Sequence, residues 1–294
     1  MRGAVTAVPR ATVFRENKMK IKYLGTAAYE GVPSLFCDCE VCRKSKETGG
    51  RNLRSRSQAL VNGDLLIDFP ADTVWHSQRY GLNWGKITDC IITHSHSDHL
   101  YAADVAMLAN GYAHGKSKLR FHCGESGLIK LQEVAERERV GERLQLSLVK
   151  PFEKFVVCGG KYTVLPLPAD HAYSTSPVIY AIESGSKRML YAHDTGMFSE
   201  EVWGGLRDFG KFDFVSFDCT GCLALGGDWE RGHMSVGSNL RTIERMKKEK
   251  IADDKTIFVI NHFSHNGGQT HDELVEAVKD KGLIVAYDGL EIEF

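Results

Sequence analysis

No stretch of this 294-residue chain holds 18 consecutive apolar residues, so no segment reads as a helix that spans a bilayer. Net charge is nearly absent as well. The 37 Lys and Arg against 38 Asp and Glu leave a formal charge of −1, so no global field recruits nucleic acid or an anionic membrane. Residues 1–18 lack the continuous apolar core of a secretory signal; they carry Arg2, Arg10 and Arg15 with a single acid, Glu16. They are expected to be a disordered extension, with a transit peptide as the alternative, ahead of a single domain over 19–294. Without an export signal the expected compartment is the cytoplasm, where 8 cysteines serve as free thiols or metal ligands rather than disulfides. There is no repeat, no low-complexity tract and no linker rich in Pro, Gly or Ser.

What is present is a soluble globular composition, 43% apolar and 26% charged. Strand-like runs fall at 20–24, 58–62, 65–69, 90–93, 119–122, 144–149, 154–157, 162–167, 178–182, 188–192, 214–217, 256–260, 283–286 and 290–294. Gly63-Asp64 between the second and third of these is a hairpin signal. Helical periodicity covers 71–80, 100–112, 126–139, 199–208, 235–250 and 270–281. Strands and helices interspersed in both halves predict two sheets faced by helices. Gly221, Gly226, Gly227 and Gly232 mark an irregular loop inside that domain.

The densest chemistry is His94-Ser95-His96-Ser97-Asp98-His99, which follows an apolar, β-branched run. Only 12 histidines occur in the chain, and three stand here. A loop leaving a strand end can present all four side chains to one small volume. Imidazole nitrogen with carboxylate oxygen suits Zn, Mn or Fe. His171, Asp194 and His262 each lie just past another apolar strand, where sheet proteins gather site residues. Singly each reads as an ordinary loop residue; together with the first motif they fit a two-metal site with a bridging carboxylate. Two divalent cations about 3.5–4 Å apart can share a water, lower its pKa toward ~7 and stabilise charge growing on a scissile group.

The order His94-x-His96-x-Asp98-His99, His171, Asp194, His262 resembles the motif series of the metallo-β-lactamase fold superfamily from about residue 20 onward. The resemblance implies an α/β fold, a four-layer αβ/βα sandwich with two metals at one edge of the sheets. It puts His94, His96 and His171 on one metal and Asp98, His99 and His262 on the other, with Asp194 bridging. Asp98 is the expected orienting group for the attacking hydroxide. His193, beside Asp194, is outside the pattern and reads as a packing or hydrogen-bonding residue.

Cys37-Asp38-Cys39-Glu40-Val41-Cys42 gathers three thiols in six residues, which favours a structural zinc. Tetrahedral zinc takes a fourth ligand, and His265 is the spare histidine of His262-Phe263-Ser264-His265. This pairing is similar to the phosphoribosyl 1,2-cyclic phosphate phosphodiesterases, in which three cysteines and the second histidine hold zinc. That resemblance also assigns His233, ahead of a helix, as a general acid or phosphate-contacting residue. Cys219 and Cys222 read as pocket-lining thiols. Arg54 and Arg56 read as a solvated basic turn, with phosphate contact as the alternative.

The leading expectation is therefore a hydrolase with two divalent ions (Mn or Zn) and one structural zinc. Its substrate is a small cyclic phosphodiester, attacked by a metal-activated hydroxide. A homodimer is implied by the resemblance. The rivals are a tRNA 3′-processing-type endonuclease, for which no basic glycine-rich arm is seen, and a zinc-containing binding module without turnover.

Overall fold

The computed structural model describes residues 18–115, 118–224 and 231–294. The expected N-terminal extension up to residue 17 and the middle of the glycine-rich loop, 225–230, lie outside the described residues. The first sheet contains β1 (Lys20–Gly25), β2 (Gln58–Val61), β3 (Leu65–Ile67), β4 (Asp89–Ile91), β5 (Leu119–Cys123), β6 (Leu144–Leu148) and β14 (Glu291–Glu293). The second contains β7 (Phe155–Val157), β8 (Tyr162–Pro168), β9 (Val178–Ser184), β10 (Lys187–Ala192), β11 (Phe214–Asp218), β12 (Ile257–Asn261) and β13 (Leu283–Val285). Their orders are β14-β1-β2-β3-β4-β5-β6 and β13-β12-β11-β10-β9-β8-β7.

The alternation of side chains along each strand builds the layers. In β2, Ala59 and Val61 enter the core shared with the second sheet, whereas Leu60 turns to a separate core. In β3, Leu65 and Ile67 take the first direction and Leu66 the second. The outer core of the first sheet is closed by α2 (Thr73–Tyr80) and by α3 (Glu125–Arg137), whose Leu131 and Val134 are buried there. On the far side, α4 (Glu200–Phe209) sinks Val202, Trp203 and Leu206 against the second sheet, flanked by α5 (Val236–Lys248) and α6 (His271–Val278). Each such fully buried side chain stabilises the fold by roughly 1.5–3 kcal/mol relative to exposure. The result is helix, sheet, sheet, helix, as expected of the four-layer α/β sandwich.

The hairpin between β2 and β3 turns at Asn62 and Gly63, both with positive φ (46° and 79°), the backbone that a tight hairpin requires. Two local expectations differ from the structure. The segment expected to be helical over 100–112 forms a 3₁₀ helix at Ala102–Leu108 and buries only Val105. An α-helix gains most of its stability by burying a whole face, and here only Val105 is fully buried while Ala102, Ala106 and Leu108 pack partly against the same core. Conversely, α1 (Glu40–Thr48) grows out of the cysteine cluster with Cys39 at its N-cap, where no helical reading had been made.

Strand direction places the site. β3 and β4 are parallel, as are β10, β11 and β12. β8 and β10 are both antiparallel to β9 and so run the same way. The C-terminal ends of β8, β10, β11 and β12 therefore open on one edge of the second sheet, facing the ends of β3 and β4.

Candidate metal centre

Each side chain expected at the centre leaves one of these strand ends. Residues 94–99 follow β4, His171 follows β8, Asp194 follows β10 and His262 follows β12. Asp194 and His262 adopt left-handed backbone (φ 49° and 62°), which turns the chain sharply as each strand ends. All of these groups except His96 and His171 are buried. The ligand atoms of His94, His96 and His171 lie within 4.8 Å of one another, and so do those of Asp98, His99, Asp194 and His262.

The nitrogens converge. His94 Nε2 is 3.0 Å from His96 Nδ1, His171 Nε2 is 3.2 Å from the same atom, and His99 Nε2 is 3.2 Å from His262 Nε2. In four of the five rings the opposite nitrogen has its own partner. His171 Nδ1 faces the Gly232 carbonyl at 3.2 Å, His94 Nδ1 the Thr93 hydroxyl at 3.1 Å, and His262 Nδ1 the Thr220 hydroxyl at 2.9 Å. His99 Nδ1 meets Asp68 Oδ2 at 2.7 Å. Such back-side partners fix the ring and its tautomer, leaving the other nitrogen for an ion.

Asp194 sits between the two groups. Its Oδ2 is 3.3 Å from His94 Nε2 and 2.8 Å from His99 Nε2, while Oδ1 is 3.2 Å from His262 Nδ1. Burial opposes its charge, but His262, His99 and His94 overcome that and hold the carboxyl well below its usual range. Burial, reinforced by His99, pushes the His94 imidazolium well below its ordinary value, so this ring is neutral and its nitrogen free to donate a lone pair.

These residues fit divalent cations. Lone-pair-bearing nitrogens aimed at one another repel unless a positive charge lies between them. An ion bound tetrahedrally at about 2.0–2.1 Å holds its nitrogens about 3.3 Å apart, close to the separations found here. Asp194 Oδ1 is moreover buried without a hydrogen-bond partner.

The cysteine group is brought together too. Cys37 Sγ and Cys39 Sγ lie 3.5 and 3.4 Å from His265 Nδ1, and Cys42 completes the four-atom set. Burial would raise the Cys39 thiol, but the Cys42 backbone N–H, His265 and the neighbouring sulfurs bring it down to about 6. Cys42 goes the other way, pushed up by burial to about 11. A thiolate beside an imidazole and two more thiols is a donor set for tetrahedral zinc. His265 Nε2 faces Glu30 Oε1 at 3.6 Å, and Ser264 donates a hydrogen bond to the same oxygen.

The beta-lactamase superfamily domain family matches residues 71–252, well over half of the chain. The chain belongs to the beta-lactamase superfamily. Members of this superfamily are largely metal-dependent hydrolases. Among solved structures, a diphosphatase from the PhnP family shares 21% identity and a TM-score of 0.69, covering 94% of this chain and 97% of its own. Zn²⁺-bound PqqB from Methylobacterium extorquens shares 18% identity at TM-score 0.71, covering 93% and 99%. The short form of human tRNase Z shares 15% at TM-score 0.61, covering 93% and 98%. At these identities they show the metallo-β-lactamase fold. No curated protein sequence matches the chain.

Within this superfamily member, the cavity over the centre holds about 430 Å³ and is lined by His96, Asp98, His171, Asp194, His233 and His262, with Tyr29, Glu30 and Asn266 opposite. His233 reaches it from the loop before α5. Its Nδ1 lies 3.1 Å from Asp218 Oδ2 and 3.3 Å from Asp194 Oδ1. Burial works against the charged ring, but Asp218 and Asp194 raise its pKa to about 9.

Sequence reasoning missed Asp68 and Asp218. Asp68 follows β3 with φ 68°, accepts from the Thr93 N–H at 2.8 Å and braces His99. Asp218 ends β11, accepts from the backbone N–H groups of Thr220 and Met234 at 3.0 and 2.8 Å, and backs His233. The available signal was an acid directly after an apolar strand, as at Asp194.

Three minor readings change or hold. Arg54 is not a solvated turn residue: it is buried, donating to Thr26 Oγ1 and the Ala286 carbonyl at 2.9 and 2.7 Å. Arg56 pairs with Asp72 at 3.0 Å. Cys219 and Cys222 are buried in the core rather than lining the cavity, which their neighbour Thr220 reaches instead. His193 is buried with Nε2 2.7 Å from Ser216 Oγ, a hydrogen-bonding role.

Among the described residues no helix is long and apolar enough to cross a membrane.

Proposed function

We propose that the protein is a binuclear metal-dependent phosphodiesterase acting on a small cyclic phosphate ester of a sugar or nucleotide. His94, His96 and His171 hold one divalent ion, Asp98, His99 and His262 the other, and Asp194 lies between them. Cys37, Cys39, Cys42 and His265 hold a structural zinc. The observation that carries the reading is the convergence of imidazole nitrogens in two groups about one buried carboxylate. Bound there, Mn or Zn supplies an acidified water as nucleophile and positive charge for the phosphoryl oxygens.

The chain's own residues do the rest. Asp98 borders the cavity and accepts a hydrogen bond from the attacking water, orienting it toward phosphorus. His233 presents Nε2 to the leaving oxygen while Asp218 holds Nδ1, so the protonated ring gives up its Nε2 proton as the ester bond breaks. The cavity of about 430 Å³ suits a small ester. The PhnP-family diphosphatase and tRNase Z, both of this fold, act on phosphorus centres and support that class over β-lactam or thioester hydrolysis.

The test is a steady-state screen of cyclic and linear phosphodiesters, with a linear diphosphate and a tRNA precursor as comparison substrates, in added Mn or Zn. Turnover of cyclic phosphodiesters is expected, and His233→Ala should lower kcat by about 10²–10⁴-fold. Turnover of the tRNA precursor alone favours the endonuclease. A chain carrying a single zinc and no activity favours the binding module.

A further inference from the structure

Beside the catalytic cavity lies a second one of about 570 Å³, which the proposed function does not use. Glu30 lines both and forms their shared wall, with Tyr29 on the catalytic side of it. Tyr29 is fixed from behind: Arg56 donates to its carbonyl at 2.8 Å and lies 5.8 Å from its ring centre.

The far wall carries Trp75, on the outer face of α2, with half of its surface exposed (52%). Leu35 and Leu53 flank the cavity and are exposed as well (81% and 44%). Arg79, one turn beyond Trp75 on α2, lies 5.6 Å from the indole centre and pairs with no carboxylate among the described residues. The acids in this wall are already committed. Asp72 is paired with Arg56, Asp288 is held inside the protein by Ser55 and Thr26, and Glu30 on the shared wall accepts from Ser264 and faces His265 Nε2 at 3.6 Å.

We infer that this second cavity binds the distal nucleoside of a linear phosphodiester, its base stacked on Trp75 and its phosphate against Arg79. The inference rests on the phosphodiesterase reading of the neighbouring centre and extends it from small cyclic esters to a linear substrate. A half-exposed indole with a guanidinium 5.6 Å from its ring centre is a combination that can hold a base and its phosphate. Leu35 and Leu53 add apolar surface to the same cavity without selecting a base. Because the two cavities meet at Glu30, one ligand can place a phosphodiester over the centre and the next nucleoside over Trp75.

The experiment compares 5′-phosphoadenylyl-(3′→5′)-adenosine, whose terminal phosphate can meet Arg79 while the internal one lies over the centre, with methyl 4-nitrophenyl phosphate, which fills only the catalytic cavity. Both are assayed on the metal-loaded wild type, Trp75→Ala, Trp75→Phe and Arg79→Ala, the last of which should raise KM for the dinucleotide and not for the small ester. Base stacking of about 1–3 kcal/mol corresponds to a rise of roughly 5–150-fold in KM for the dinucleotide in Trp75→Ala, with kcat unchanged. The small ester should change less than about twofold, and Trp75→Phe should retain most of the affinity. Equal effects on both esters, or none on the dinucleotide, overturn the inference. A calorimetric titration with adenosine 5′-monophosphate separates it from the reading on which it rests. If neither ester nor any cyclic phosphodiester of the screen is turned over, the phosphodiesterase reading fails, yet the cavity stands when the monophosphate binds wild type and not Trp75→Ala. It falls when both bind alike or neither binds.

Discussion

His262 and His265 stand three residues apart in one loop, yet they belong to groups built in opposite ways. The His–Asp centre draws on the ends of strands in both sheets, and His94, Asp98, His99, Asp194 and His262 are all buried. Its rings are braced by Asp68, Thr93, Thr220 and Gly232 whether or not an ion lies between them. The cysteine group sits on a loop and one short helix, with Cys37 and Cys39 half-buried. The apolar cluster under it is small: Ala27, Val32 and Val41, with Cys39 against them. A scaffold of strands holds the first group, and little besides its own ligands holds the second. An ion at the centre is therefore expected to supply chemistry, and an ion at the cysteines to supply fold.

The sharpest way to break that contrast is Asp194→Asn. Losing the charge that both groups of imidazoles face should lower phosphodiesterase kcat/KM by on the order of 10³-fold or more. The thermal midpoint should fall less than with the cysteine variant below, as read by calorimetry. A large loss of stability with activity retained would reverse the assignment. Asp68→Asn comes next, because it weakens the brace on His99 without removing a ligand. A loss of about 10–100-fold in activity or metal affinity is expected. Activity equal to wild type would show that the strand scaffold holds His99 unaided.

Cys39→Ser probes the other region. It should release one zinc per chain and lower the melting temperature by several degrees, at ~2–4 °C per kcal/mol for a chain of this size. Activity should drop only severalfold, through movement of the loop that carries His262. Zinc content equal to wild type would remove the structural site from the account. The smallest effect belongs to Lys44→Ala. Lys44 bridges Glu40 on α1 and Glu273 on α6, at 2.8 Å from each, but all three are exposed. A shift of no more than ~2 °C is expected, and less at high salt. A larger one would mean that ion pairs rather than zinc tie this loop down.

The two regions also differed in how far they could be read from residues alone. Three cysteines in six positions are a local pattern, so the thiols were legible without the fold, and His265 followed from counting ligands. The run His94 to His99 was legible for the same reason, and the strand-end placement of His171, Asp194 and His262 came from periodicity. Asp68 and Asp218 were not, because a single acid after a strand is common and its partner is fixed only when the sheets face each other. The buried state of Arg54 was hidden likewise, since Thr26 and Ala286 approach it from distant parts of the chain. The segment at 102–108 misled through composition: its apolar residues have the spacing of a helix, but only Val105 is fully buried and Ala102, Ala106 and Leu108 pack partly.

The most direct measurement is the metal content per chain, by mass spectrometry of the purified protein after loading with Zn or Mn, in wild type, Asp194→Asn and Cys39→Ser. The account predicts about three ions in wild type, two in Cys39→Ser with the centre still filled, and loss from the centre alone in Asp194→Asn. One ion per chain in wild type, or a Cys39→Ser variant that empties both regions together, would contradict it.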